Sequence, residues 1–269
     1  MATIGSNIGA TTSNYYLTSN TESIQTNIRR LSSGSRLTIG SDDAGGVAVS
    51  GAFNARILRL NAGVDGAKDL ISIAQTADGF LQTVQGQLTR MNELAQRATN
   101  GAFSDTDRAN YNVEFERIKT QINQITSNAN FNGTTLFTTG SLSVSITADG
   151  ALDTFVISSL GNLTTLGISG TTIGSTQGAG ASISSLTLAI QSIARRRAEI
   201  AADISKFNFH ISNLRGESVN DTEANGKIKD LNVAEETTQL SKNNILLQAS
   251  TAILAQANSS QQNLLTILR

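Results

Sequence analysis

A chain of 269 residues that is 39 % hydrophobic but only 4 % aromatic, with no Pro, Cys or Trp, has little of the ring surface that fills thick globular cores. Without Cys there is no disulfide, thiolate nucleophile or zinc ribbon, and a net charge of −1 offers no footprint for nucleic acid or an anionic membrane. No apolar run approaches the roughly 20 residues of a membrane span, and Met1 to Ala10 lacks the basic start and apolar core of a signal peptide, so if the protein leaves the cell it is expected to do so without a cleaved leader.

In chain order, Leu17, Ile24 and Leu31 recur every seventh residue, with Ile28 between the last two. They make a sparse apolar seam on an otherwise polar helix. Ser32-Ser33-Gly34 and Gly40-Ser41 interrupt it, since small residues favour loop. Asp42 and Asp43 follow where a helix start welcomes negative charge and capping oxygens, a better reading than a paired-carboxylate site. Ile57, Leu60, Val64, Ala67, Ile71 and Ala74 then alternate spacings of three and four. After one doubled three, Ala77, Leu81, Val84, Leu88, Met91, Ala95 and Ala98 resume the rhythm. One helix from about Ala44 to Thr99 is predicted, on the order of 80 Å long at 1.5 Å per residue. The doubled three should shift its seam sideways, as a stammer does in a coiled coil.

Asn100-Gly101 reads as a stop and Ser104 to Asp107 as the cap of a second helix, whose seam is Tyr111, Phe115, Ile118, Ile122, Ile125 and Ala129. Asn132-Gly133 predicts a two-residue hairpin turn. From Ser141 to Gly178 the period changes: Leu142, Val144 and Ile146 alternate with polar residues, Asp149-Gly150 offers a turn, and Thr154 to Ser158 reads as a returning strand. Beyond Gly161 the Gly/Ser/Thr composition predicts a loose loop. Helical period returns at Ile183 and runs through Leu186, Ile190, Ile193, Arg197, Ile200, Ile204, Phe207 and Ile211 to Leu214. After a polar stretch, Arg215 to Lys229, the last seam is Val233, Leu240, Leu247, Leu254 and Leu268, broken only at Gln261. A second row of Leu246, Ile253 and Ile267 flanks it, and two adjacent apolar rows require more than one neighbour. The fold class expected is mainly α: a helical coiled-coil or bundle rod built from both chain ends, with a small β-hairpin element in the middle.

Several short runs stand out as motifs. They are Leu31-Ser-Ser-Gly-Ser-Arg-Leu37, Ser41-Asp-Asp-Ala-Gly-Gly-Val-Ala-Val49, Asp78-Gly-Phe-Leu81, Arg90-Met-Asn-Glu-Leu-Ala95 and Phe131-Asn-Gly133 on the N-terminal side. On the C-terminal side they are Ile228-Lys-Asp-Leu-Asn-Val-Ala-Glu-Glu236, Ile245-Leu-Leu-Gln248, Leu254-Ala-Gln-Ala-Asn258 and Leu264 to Arg269. In this order, around a variable middle, these runs resemble flagellin. The resemblance implies a subunit that polymerises into the flagellar filament for motility, secreted to the extracellular flagellum, with a hook–filament junction protein or a surface binding protein as alternatives. It further implies an N-terminal inner-core segment 1–40, a helical rod 41–140, a short variable region 141–180, a rod helix 181–232 and an inner-core helix 233–269. Self-assembly is expected to use Leu17, Ile24, Ile28, Leu31, Val233, Leu240, Leu247, Leu254 and Leu268. The chain ends should be largely disordered in the monomer and fold against neighbouring copies. Other implied partners are hook-associated and cap proteins, an export chaperone and the type III export apparatus. Arg90, Leu94 and Glu114 match positions that a Toll-like receptor recognises in some flagellins.

The remaining polar features have plainer readings. Arg195-Arg196-Arg197 reads as a solvated face, with Arg197 on the seam snorkelling or meeting a carboxylate. His210 is the one histidine and stands without a nucleophile motif. Glu235-Glu236 read as helix-start charge. No enzyme, cofactor or metal is expected, nor binding to nucleic acid or insertion into a membrane.

Overall fold

The computed structural model describes residues 7–137, 142–145, 152–155 and 166–267. Among them are helices α1 (Ile8–Ser33), α2 (Ala44–Ala98), α3 (Asp105–Asn128), α4 (Thr176–Lys229) and α5 (Val233–Ile267). Short strands β1 (Asn130–Phe131), β2 (Thr134–Thr135), β3 (Leu142–Ser145) and β4 (Leu152–Phe155) form two antiparallel hairpins, β1 with β2 and β3 with β4. Leu268, Ile146, the Asp149-Gly150 turn, Val156 to Ser158 and the first part of the expected loop lie outside the described residues. The chain divides into two compact units, Met1–Ala55 with Asn220–Arg269, and Arg56–Val219.

In the first unit α1 pairs with α5. Asn7 meets Ala257, Asn20 meets Ser250, and Ser35 bridges to Asp230, so the two helices run antiparallel. Gly34 closes α1 with φ +66°, a left-handed C-cap that costs glycine little. Leu231 N–H then donates to the Gly34 carbonyl at 3.3 Å and Arg36 N–H to the Lys229 carbonyl at 2.8 Å. Asp43 starts α2 by accepting from the Gly46 N–H at 2.8 Å.

In the second unit α2, α3 and α4 share a core that follows the three-and-four rhythm. Leu81, Val84, Leu88 and Met91 of α2, Phe115 and Ile122 of α3, and Leu186, Ile193 and Phe207 of α4 are all buried. At the doubled three the buried set of α2 widens to include Leu70 and Ile73 beside Ala74 and Ala77. There the apolar stripe moves around the helix. The α3 start carries a capping box: Asp107 N–H donates to Ser104 Oγ at 3.2 Å, and Ser104 N–H to Asp107 Oδ2 at 3.0 Å. The β1–β2 turn places Asn132 at φ 48° and Gly133 at φ +80°, as a hairpin closed by Asn-Gly needs.

Two expectations fail. The segment 166–175 is no loose loop, because Leu166, Ile168 and Ile173 are buried and its polar groups find partners. Asn112 Oδ1 accepts from Thr172 Oγ1 and Ile173 N–H, and Lys119 Nζ donates to the Thr171 carbonyl at 3.0 Å. Nor does the fourth helix run only from residue 183 to 214. It begins at Thr176, with Ser175 Oγ accepting from Gly178 N–H, and continues to Lys229. The stretch 215–229 has no apolar period to read. It stays helical despite Gly216, Gly226 and several weak helix formers, through a Glu223–Lys227 pair one turn apart at 2.9 Å and a buried Asn225 that donates to Asn54 at 2.9 Å.

Candidate self-assembly surface

The α1–α5 pair has an unusual cross-section. The buried residues of α1 are Ser13 and Asn27, and α5 buries Asn243 and Ser250. Ser13, Asn20 and Asn27 recur every seventh residue, as do Asn243 and Ser250, so a polar row runs down the middle of the contact. Asn20 Nδ2 donates to Ser250 Oγ at 3.2 Å and Asn7 Nδ2 to the Ala257 carbonyl at 3.1 Å. The Asn27 amide, its oxygen turned to α5, accepts from Leu240 N–H at 3.3 Å and donates to the Ser23 carbonyl.

The predicted apolar residues sit on the shoulders of this row. Leu17, Ile24, Leu31, Leu240, Leu247 and Leu254 are half-buried, while Ile28 and Val233 are exposed. Farther out, Tyr15, Tyr16, Ile245, Leu246 and Ile253 also face solvent, Ile253 at 59 %. Tyr15 and Tyr16 meet edge to face at 5.6 Å. Tyr16, Leu246 and Ile253 border an apolar cleft of about 480 Å³ between the helices. The pair thus hydrogen-bonds through its centre and leaves large apolar side chains on its outer face.

Flanking charges are structural. Asp43 is held below the usual carboxylate range by the Gly46 N–H and then by Arg36, and Asp42 lies 3.6 Å from Arg30. Asp43 caps the α2 start, whereas Asp42 accepts from Thr38 Oγ1 at 3.3 Å and faces Arg30 instead of the helix. Asn232 accepts from Glu235 N–H at 3.4 Å and so caps α5, with Glu235 and Glu236 in the first turn.

In the second unit Arg90 Nη2 meets Glu114 Oε1 at 2.8 Å and Arg90 Nη1 meets Glu93 Oε2 at 3.0 Å, on the surface. Hydrogen bonds that Arg90 donates to Glu114 and then to Glu93 raise its pKa. Leu94 is 0 % exposed, a core residue that no partner can touch without unpacking α2, so of the three expected receptor contacts only Arg90 and Glu114 are accessible. Arg197 meets a carboxylate: it forks onto Asp78 at 2.7 and 3.1 Å and donates to Gln85 at 3.0 Å. Arg196 pairs with Glu199 at 2.7 Å, and His210 is half-buried. Sequence reasoning missed the polar row, although its own seven-residue step stood beside the apolar one.

Among the described residues no cluster of His, Asp or Glu could hold a metal, and no helix is long and apolar enough to cross a membrane. The profile of the bacterial flagellin N-terminal helical region matches residues 4–141, and that of the C-terminal helical region matches residues 183–268. The chain belongs to the bacterial flagellin family.

This flagellin is 32 % identical to the flagellar filament 30.7 kDa core protein of Treponema maltophilum, over 98 % of the chain and 99 % of that protein. It is 30 % identical to a flagellin of Listeria innocua over the same shares. The crystal structure of Bacillus cereus flagellin superposes with a TM-score of 0.50 at 25 % identity, covering 55 % of this chain and 86 % of that one. This flagellin is accordingly a structural subunit that polymerises with its own copies into the flagellar filament outside the cell, and not an enzyme.

Proposed function

We propose that this flagellin polymerises through the paired chain ends, with Leu17, Ile24, Ile28, Leu31, Val233, Leu240, Leu247, Leu254 and Leu268 as the residues that neighbouring copies cover. The observation that carries this reading is the inverted cross-section of the α1–α5 pair, polar within and apolar outside. Helix α1 is 26 residues long, and the residues it buries are the polar Ser13 and Asn27, held with few neutral hydrogen bonds while its apolar side chains are at most half-buried. Such bonds contribute roughly 1 kcal/mol net each, little against an ordering cost of about 1–2 kcal/mol per residue. The ends are therefore weakly held in the monomer and become ordered when the lattice buries their leucines and isoleucines, each worth roughly 1.5–3 kcal/mol when fully covered. A contact of this kind between unlike faces does not close on itself and propagates as a helical tube.

Within this proposal residues 1–40 and 233–269 are the polymer-forming ends, 41–140 and 181–232 supply the helical rod, and 141–180 is a short variable segment. Hook-associated and cap proteins are its partners in the flagellum, and an export chaperone with the type III apparatus delivers it there. A Toll-like receptor that meets it does so at the exposed Arg90–Glu114 pair. Seeded polymerisation of the full chain beside chains lacking 1–40 or 233–269 tests the reading. The full chain forms filaments and both truncations remain monomeric; normal filaments from either truncation contradict it.

A further inference from the structure

Asparagine is followed by glycine three times in the chain, and the three copies are held in three different ways. A glycine nitrogen has no Cβ beside it to hinder approach to the preceding amide carbon, which leaves the pair open to ring closure. Asn225 stands inside α4, 8 % exposed, with Nδ2 donating to Asn54 Oδ1 at 2.9 Å and the Gly226 N–H directed along the helix axis. Asn132, at φ 48°, closes the β1–β2 hairpin, its peptide fixed by a strand on either side. Asn100 and Gly101 lie exposed in the turn between α2 and α3. There Asn100 Oδ1 accepts from the Ala102 N–H at 3.0 Å, which folds the side-chain amide back over the peptide joining Asn100 to Gly101. The main chain is steadied from the other side: the Asn100 carbonyl accepts from Phe103 N–H at 3.3 Å and from Arg108 Nη1 at 3.2 Å. The Gly101 N–H itself has no hydrogen-bond partner among the described residues.

We infer that Asn100 is a site of spontaneous deamidation in the folded subunit, with solvent water and hydroxide as the co-reactants. The Gly101 nitrogen gives its proton to hydroxide and bonds to Asn100 Cγ. The Cγ–Nδ2 bond breaks, and Nδ2 leaves as ammonia after taking a proton from water. The five-membered imide then adds water at one of its two carbonyls. Opening at Cγ gives aspartate. Opening at the main-chain carbonyl gives isoaspartate, in which the chain runs through Cβ and the oxygen that Arg108 holds becomes part of a carboxylate. The Ala102 N–H favours ring closure in two ways. It keeps the reacting atoms together, which lowers the orientational cost, and it donates to the oxygen on which negative charge develops. Neither the helical Asn225 nor the hairpin Asn132 combines a free glycine N–H with a donor so placed.

The test incubates the full chain in mildly alkaline buffer, with and without guanidinium chloride, and follows each Asn-Gly peptide by mass spectrometry after proteolysis at mildly acidic pH. In the folded chain Asn100 converts at least tenfold faster than Asn132 or Asn225, and faster than it does itself in denaturant. In denaturant the three sites come within about threefold of one another, since only the shared dipeptide chemistry remains. Gly101→Ala places a Cβ in open space, so the fold stands. That variant slows conversion at Asn100 at least fivefold and leaves the other two sites and the thermal melt unchanged. Two results overturn the inference: Asn100 converting no faster in the folded chain than in denaturant, or no faster than the other two sites while all are folded.

Discussion

Replacing Ile253 by Ser removes a side chain that the isolated subunit hardly uses. It is 59 % exposed on the outer face of α5, so subunit stability should change by less than about 0.5 kcal/mol. Full burial of an isoleucine is worth roughly 1.5–3 kcal/mol, and the part still to be gained on assembly is then about 1–2 kcal/mol per copy. At 1.4 kcal/mol per factor of ten, that loss raises the critical concentration about 5- to 30-fold. Sedimentation of seeded polymer over a concentration series reads the shift directly, and a thermal melt of the monomer shows that the fold is intact. An unchanged critical concentration with an unchanged melt would mean that no neighbour covers this face, and the reasoning about the apolar shoulders would fail.

Asp78→Ala leaves the guanidinium of Arg197 with Gln85 as its remaining partner, and a loss of about 1–3 kcal/mol is expected in denaturant melts; a loss below about 0.5 kcal/mol would show the pair to be ornamental. Gly34→Ala puts a Cβ on a left-handed residue, φ +66°, in otherwise open space, and costs about 1–2 kcal/mol through the backbone alone. That loss should appear as weaker α1–α5 pairing in limited proteolysis, with the second unit as resistant as before. Ser104→Ala removes the hydroxyl that chiefly holds Asp107 below its ordinary 3.8. A depressed carboxylate contributes stability that is present above its unfolded pKa and lost as pH falls through the folded one. Stability of the wild type therefore drops as pH falls below about 4, and the variant loses less over that window; identical acid limbs would contradict the assignment.

The long helices were legible because their buried residues are numerous and keep the three-and-four step. The α2 end differs from its reading by one position, Ala98 for Thr99, and the Ser104–Asp107 cap is where its residue types placed it. The silent stretches were those where structure is made without apolar period. Residues 215–229 are helical through charge pairs and a buried amide. The 166–175 segment is anchored by three apolar side chains too irregularly spaced to mark an element. At the assembly surface the apolar seams were visible, but periodicity says nothing about which of two adjacent seven-residue rows faces the partner helix. Asn20, Asn27 and Ser250 took the centre, and the leucines lie half-buried beside it. Leu94 shows the converse limit: a motif match cannot reveal that a residue points into the core.

The central claim is that the two chain ends become firmly ordered only between copies. Amide hydrogen exchange followed in monomer and in assembled filament measures this directly. Residues 8–33 and 233–263 should exchange within seconds to minutes in the monomer and slow by several orders of magnitude on assembly, while the α2 core around Leu81–Met91 is protected in both. Equal protection of those ends in monomer and filament would contradict the account.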